Sequence, residues 1–164
     1  MKRFAGCFFA LVLAAALLTG CAGGEKTFTC GELTITLPAE TQDLSKLEYA
    51  ADYDFLYSFS EGAVLGFKQA KAPLETKFPG ITAGRYAQLF MEAIELPGTV
   101  TEQDGLVTFS YTASAKGKDV TYLCGVFMSE NSFWIIQFYC AAESYRENEA
   151  RFLQYLRSVK VQND

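Results

Sequence analysis

The chain carries cysteines at positions 7, 21, 30, 124 and 140 and has no histidine. The missing imidazole removes Ser-His-Asp and Cys-His nucleophilic sites, histidine zinc sites and an imidazole pH switch. Thiols and carboxylates remain. Glu40, Asp43, Glu48, Asp52 and Asp54 form an acidic stretch able in principle to supply Ca²⁺ ligands or paired carboxylates. The Asp52-Tyr53-Asp54 spacing stops short of a calcium loop, because Leu56 and Ser58 stand where further ligands belong and no bend-forming glycine follows. A solvated acidic face is the better reading. Glycoside cleavage needs two carboxyl groups about 5 to 9.5 Å apart across a cleft, which spacing along one sequence does not give. Aromatic side chains could line a sugar or peptide groove. Tyr111, Tyr122 and Tyr139 fall on alternating strand positions and read as packing, so Tyr49, Tyr53 and Tyr57 are the tyrosines to watch for binding. Gly23-Gly24 lacks the spacing and the following helix of a phosphate loop.

Lys2 and Arg3 precede an apolar run of 11 residues from Phe8 to Leu18, and Leu18-Thr19-Gly20-Cys21 follows directly. A helix that stays in a bilayer needs about 20 apolar residues, so the run reads as a processed export signal spanning residues 1–20. The last four residues resemble the lipobox of bacterial lipoproteins, which implies that Cys21 carries a diacylglyceryl thioether. Two acyl chains anchor firmly, at about 0.8 kcal/mol per buried methylene, where one chain is marginal. Residues 21–26 then form a short lipid tether, and 27–164 a single domain. The expected location is the extracytoplasmic face of the cell membrane. Removing Lys2 and Arg3 from the 14 basic residues leaves 12 against 19 acidic ones, a net charge of −7 for the processed chain. That balance speaks against nucleic acid and anionic headgroups as partners.

The elements that must position these side chains follow from periodicity. Residues 27 to 37 alternate apolar and polar around Gly31-Glu32, a hairpin or one bent strand ended by Pro38. Residues 40–47 read as irregular or one weak helical turn, and Phe55 to Phe59 and Ala63 to Lys71 as a second hairpin around Ser60-Glu61-Gly62. Lys71 to Gly80, with Pro73, Pro79 and Gly80, reads as a surface loop. Thr82 caps a helix with Tyr86, Leu89, Phe90, Ala93 and Ile94 as its buried stripe, ended by Pro97-Gly98.

Four antiparallel strands come next: Val100 to Glu102, Leu106 to Ala115, Lys118 to Met128 and Ser132 to Cys140, with turns at Asp104-Gly105, Lys116-Gly117 and Glu130-Asn131. Two-residue loops at the last two turns set Phe109 opposite Cys124, Tyr111 opposite Tyr122, and Cys124 opposite Gln137. One face then holds Val107, Phe109, Tyr111, Tyr122, Cys124, Val126, Met128, Phe133, Ile135 and Tyr139. The opposite face runs from Thr108, Ser110 and Thr112 to Leu123, Phe127, Trp134, Ile136 and Phe138, so the sheet centre is covered on both sides and one strand is half-wet near an edge. A last helix starts at Ser144, in capping-box spacing with Glu147, and buries Tyr145, Phe152, Leu153 and Leu156. Val159 to Val161 adds a short terminal strand. The order ββ, ββ, α, ββββ, α predicts an α+β domain, an antiparallel β-sheet with helices packed against it. In this register Cys124 and Cys140 lie on opposite faces and cannot be bridged. Cys30 and Cys140, both at strand ends, leave two readings open: a disulfide linking the first hairpin to the last, or reduced thiols.

The order resembles the PsbP-like α-β-α sandwich, seen in an extrinsic subunit of photosystem II and in a factor that releases nucleotide from the GTPase Ran. The residues that carry the resemblance are Phe28 to Pro38, the helix Arg85 to Glu95, the strand around Asp104-Gly105-Leu106, and Phe133 to Phe138 with its following helix. It implies the fold and a tendency to act as a binding module, with no catalytic residue carried over. The expectation is therefore a non-catalytic binding or accessory module, without cofactor or metal, whose partner is a protein or a small ligand. The alternative is a carboxylate-based hydrolase acting on cell-wall glycan. Solute capture between two lobes needs a longer chain.

Overall fold

The computed structural model describes residues 24–162 apart from Lys116, so the signal segment and Cys21 lie outside the described residues. Strands β1 (Glu25–Cys30) and β2 (Leu33–Pro38) form the first hairpin, with Gly31 at φ +56° in the tight turn. β1 begins two residues earlier than expected, and the Gly24 carbonyl already accepts the Ala39 N–H at 2.7 Å. Next come β3 (Gln42–Asp43), a 3₁₀ turn at Glu48–Ala50, β4 (Phe55–Phe59) and β5 (Gly62–Ala70). Helices α1 (Lys71–Lys77) and α2 (Ala83–Ala93) lead into β6 (Thr101–Gln103), β7 (Leu106–Ala115), β8 (Lys118–Met128) and β9 (Ser132–Ala141). Helix α3 (Ala142–Ser158) and β10 (Lys160–Val161) close the chain.

Seven strands form one antiparallel sheet in the order β3-β4-β5-β9-β8-β7-β6, and β1-β2-β10 form a second, three-stranded sheet. The expected register is the one formed: Phe109 faces Cys124, Tyr111 faces Tyr122, and Cys124 faces Gln137. Because side chains alternate along a strand, β9 sends Phe133 and Ile135 to one layer and Trp134, Ile136 and Phe138 to the other. The first layer packs with Val107, Phe109, Cys124 and Val126 under Tyr86, Ala87 and Met91 of α2. The second packs under Phe152, Tyr155 and Leu156 of α3 and under Leu33, Ile35 and Leu37 of β2. The sheet is thus buried on both faces, in an α-β-α sandwich with helix α2 on one side and α3 with the small sheet on the other.

Four local expectations are corrected. The segment read as a loop holds α1; Pro73 falls in its first turn, where the missing N–H costs no helical hydrogen bond. The α2 stripe is rotated. Thr82 caps the helix as expected, accepting the Arg85 N–H at 3.2 Å, but Ile94 is 49% exposed while the small Ala87 is fully buried and lets the helix axis approach the sheet. Met128, assigned to the core face, is 44% exposed at the strand end. Helix α3 starts at Ala142, because β9 runs into it with no loop between; the Ser144 hydroxyl donates to the Ala141 carbonyl at 3.1 Å and caps nothing. A smaller difference is β3, a two-residue strand on β4 inside the stretch read as irregular.

Cys30, Cys124 and Cys140 are all free thiols in the structure. Cys30 sits beside Asp54, whose carbonyl accepts its S–H at 3.5 Å, and the Asp54 N–H donates to the Gly66 carbonyl. Gly66 pairs with Ile136, four residues before Cys140 on β9. At about 3.3 Å per residue, Ile136 and Cys140 stand about 13 Å apart along the strand, so the two cysteines sit at different levels of the sheet.

Candidate functional site

The described residues with the densest polar contacts surround Glu32, in the β1–β2 turn. Its Oε1 accepts the indole N–H of Trp134 at 3.0 Å and the hydroxyl of Ser129 at 3.2 Å, and Lys68 Nζ lies 3.4 Å from Oε2. The Lys68 ammonium also lies 5.5 Å from the centre of a Trp134 ring, and the Lys68 backbone N–H donates to Asp54 at 2.6 Å. The hydrogen bond from Trp134, before all else, holds the Glu32 carboxyl below the ordinary carboxylate range, with Lys68 and Ser129 adding to it. A general acid needs the reverse, a carboxyl kept protonated near neutral pH. The cluster is a clasp: it fastens the first hairpin to β5 and to the β8–β9 turn.

The other candidate residues disperse once placed in the fold. Asp43 is held ionised by hydrogen bonds from Ser45, and Glu40 lies 3.2 Å from the Ser60 hydroxyl. Asp54 is taken up by the Lys68 backbone, and Glu48 and Asp52 are exposed. No group of three or more His, Cys, Asp or Glu among the described residues is placed to hold a metal ion. Burial pushes the Cys124 thiol up, and burial followed by the Asp54 charge does the same to Cys30, so neither is disposed to be a nucleophilic thiolate. Tyr57 is buried and stacked on Phe55, whereas Tyr53 is 37% exposed; the side chain of Tyr49 lies outside those described. Tyr111 and Tyr122 stack at 4.7 Å and 8°, and Tyr139 follows at 5.3 Å. Their faces meet one another, so this row does not present the faces that would stack on a sugar.

Among the described residues, an open surface lies at the β6 edge of the seven-stranded sheet. β6 is exposed throughout and pairs only with β7. Asp104 (φ 54°) and Gly105 (φ 77°) make the two-residue turn between them, and both positive φ angles match the twist that a tight hairpin needs. Two hollows flank the segment that enters β6 and share Gly98 and Thr99. The first, about 630 Å³, lies on the α2 side and is lined by Met91, Leu96, Pro97 and Val100 with the carboxylates of Glu92 and Glu95. Glu95 itself sits at φ 54° just past the end of α2, where the Leu96 N–H returns to the Met91 carbonyl at 2.9 Å. The second hollow, about 390 Å³, lies on the α3 side between β6–β7 and the helix. Leu106, Leu123 and Leu153 give it apolar ground, and Thr108 and Ser110 give it hydroxyls. Glu149, Leu153 and Arg157 recur every four residues, so one helix face forms its wall with an acid and a base at opposite ends.

The half-wet Thr108 and Ser110 were the sequence signal for this place, and Glu92, Glu95 and Glu102 were missed. Nothing in their spacing says that the short strand after α2 will be outermost.

No protein-family profile matches the chain, and no curated protein matches it in sequence. Solved structures do. The solution structure of cyanobacterial PsbP (CyanoP) from Synechocystis sp. PCC 6803 superposes with a TM-score of 0.60 at 10% identity, covering 88% of this chain and 96% of that one. A crystal structure from Bacteroides thetaiotaomicron superposes with a TM-score of 0.55 at 11% identity over 87% of this chain, which matches 49% of that longer protein. Identities this low speak to architecture alone, and the architecture is the one the element order predicted: this chain has a PsbP-like α+β fold.

Proposed function

We propose that this chain is a lipid-anchored lipoprotein of the extracytoplasmic membrane face that works as a non-catalytic binding or accessory module, meeting its partner at the β6 edge. The observation that carries the reading is an unpaired sheet edge with an open, partly apolar hollow on each face. Pockets of mixed apolar and polar lining at such places are where ligands and partners dock. Asp43 and Asp54 are each engaged by hydrogen bonds from backbone N–H groups, and Glu32, the best-placed carboxylate, is held ionised. Hydrolysis by paired carboxylates draws no support from that arrangement. The body is fixed from Gly24 onward by its bond to Ala39, which leaves three residues, about 10 Å of extended chain, from Cys21 to the first fixed residue. Glu25 and Glu40 share a hollow with Glu61 of the β4–β5 turn, so the tether leaves the body near β5. β6 lies four strand positions from β5, about 19 Å at about 4.8 Å per strand, so the edge stands clear of the tether.

A photo-crosslinking amino acid at Thr101 in intact cells tests this. A discrete protein adduct that is absent when the label sits at Asp119, at the start of β8 beside the β7–β8 turn, is the expected result. Adducts to glycan alone would favour the hydrolase, and no adduct above the Asp119 control would remove the edge as the docking place.

A further inference from the structure

We infer that the β6 edge takes an extended peptide segment of its partner by strand addition, with a preference for alternating apolar and basic side chains. The inference rests on the binding-module reading and specifies what is bound. In a two-residue hairpin the residues flanking the turn are the hydrogen-bonded pair, here Gln103 and Leu106. The next pair, Glu102 and Val107, is then non-hydrogen-bonded, so the Glu102 backbone N–H and C=O point away from β7 toward open solvent. These groups are what an added strand would pair with.

The hollows supply the side-chain preference. Residues of an added strand alternate between the two faces of the sheet. On the α2 face they meet Glu92 and Glu95, joined by Glu102, whose carboxylate reaches the first turn of α2 beside Gly84. Arg85, paired with Glu92 at 3.3 Å, offsets one of these three charges. A lysine or arginine fits that side. On the α3 face they run past Thr101 and Gln103 toward the hollow whose apolar ground nearest the edge is Leu106 and Leu153, where an aliphatic side chain would be buried. The ordinary fate of so short an edge strand is protection from pairing, with Glu102 as its blocking charge; the same charge becomes an attraction for a basic peptide.

The probe is a fluorescein-labelled, end-capped peptide of alternating valine and lysine, with three relatives: aspartate in place of lysine, and two versions N-methylated on one or the other alternate set of amides. Strand addition predicts saturable binding of the lysine peptide and about tenfold weaker binding of the aspartate peptide. One N-methylated version is expected to lose binding and the other to keep it, because only one set of amides faces β6. Glu102→Pro removes the outward donor while leaving the β6–β7 bonds in place, and is expected to weaken binding about tenfold; Glu102→Gln, which keeps the donor, weakens it about threefold. Equal binding of both N-methylated peptides, equal binding of lysine and aspartate peptides, or no binding to the natural chain would each overturn strand addition by a basic segment. Concentration-dependent self-association abolished by Glu102→Pro would do so too, by making a second copy the occupant. A Thr101 adduct in cells with no peptide binding separates the cases: the module reading stands and this inference falls.

Discussion

Replacing Gly66 with alanine is expected to destabilise the domain by about 3 kcal/mol, at the upper end of what overpacking a filled core costs. Gly66 on β5 faces Phe55 on β4, and a Cβ at this position would sit 2.2 and 2.4 Å from two carbons of the Phe55 ring. The ring has no way to yield. It is 1% exposed and stacked on Tyr57 at 4.9 Å and 16°, and Tyr57 in turn meets Phe28 of the first hairpin at 4.9 Å. A methyl group here therefore presses through two rings into the contact between the two sheets. Phe55→Leu alone also destabilises, by leaving space behind, but in the double variant the smaller side chain accommodates the new methyl. Urea unfolding of the four proteins is expected to give a favourable coupling of about 1 to 2 kcal/mol. Strictly additive losses would contradict a clash between these two side chains.

Glu32→Ala is expected to cost about 2 to 3 kcal/mol, because the indole N–H of Trp134 and the Ser129 hydroxyl lose their acceptor inside a mostly buried cluster. Lys68 contributes little to that figure, being 38% exposed and screened by solvent. Trp134 is the sole tryptophan, so its fluorescence reports on the clasp directly. The pH dependence has a fixed sign. The folded Glu32 carboxyl lies below its ordinary value of 4.5, so its stabilisation is fully present above that value and is lost as pH falls through the folded one. Acid titration of the natural chain is expected to shift Trp134 emission with a midpoint below 4.5, while Glu32→Gln shows no such step and a flatter acid limb of stability. An emission step that persists in Glu32→Gln would assign the titration to another group.

Much of the architecture was legible because a few residues leave the backbone little choice. Asp104-Gly105 and Gly117 force tight turns, and once loop lengths are set, period-two alternation assigns every side chain of β7, β8 and β9 to a face. What sequence could not give was decided by neighbours. Tyr86, Leu89, Phe90, Ala93 and Ile94 make a valid stripe, but α2 settles on Ala87 and Met91, since a small residue at the contact brings the helix closer to the sheet. Ser144 has the spacing of a cap and lost that role because β9 passes into α3 without a loop. Cys30 and Cys140 both stand near strand ends, and only the placement of the first hairpin beside Asp54 separates them. The candidate edge was the least legible part. Thr108 and Ser110 gave a half-wet face, but which strand lies outermost depends on the order of the whole sheet.

The proposed role rests on hydrocarbon on Cys21 holding an acidic body at the membrane; no helix among the described residues is long and apolar enough to cross one. Intact mass and membrane fractionation of the natural chain beside Cys21→Ala test this most directly. The expected result is a membrane-bound species that begins at Cys21 and carries the mass of a diacylglyceryl group, with the variant released from that form and lacking the added mass. A natural chain of unmodified mass in the soluble fraction, or a variant that fractionates with membranes as the natural chain does, would contradict the account.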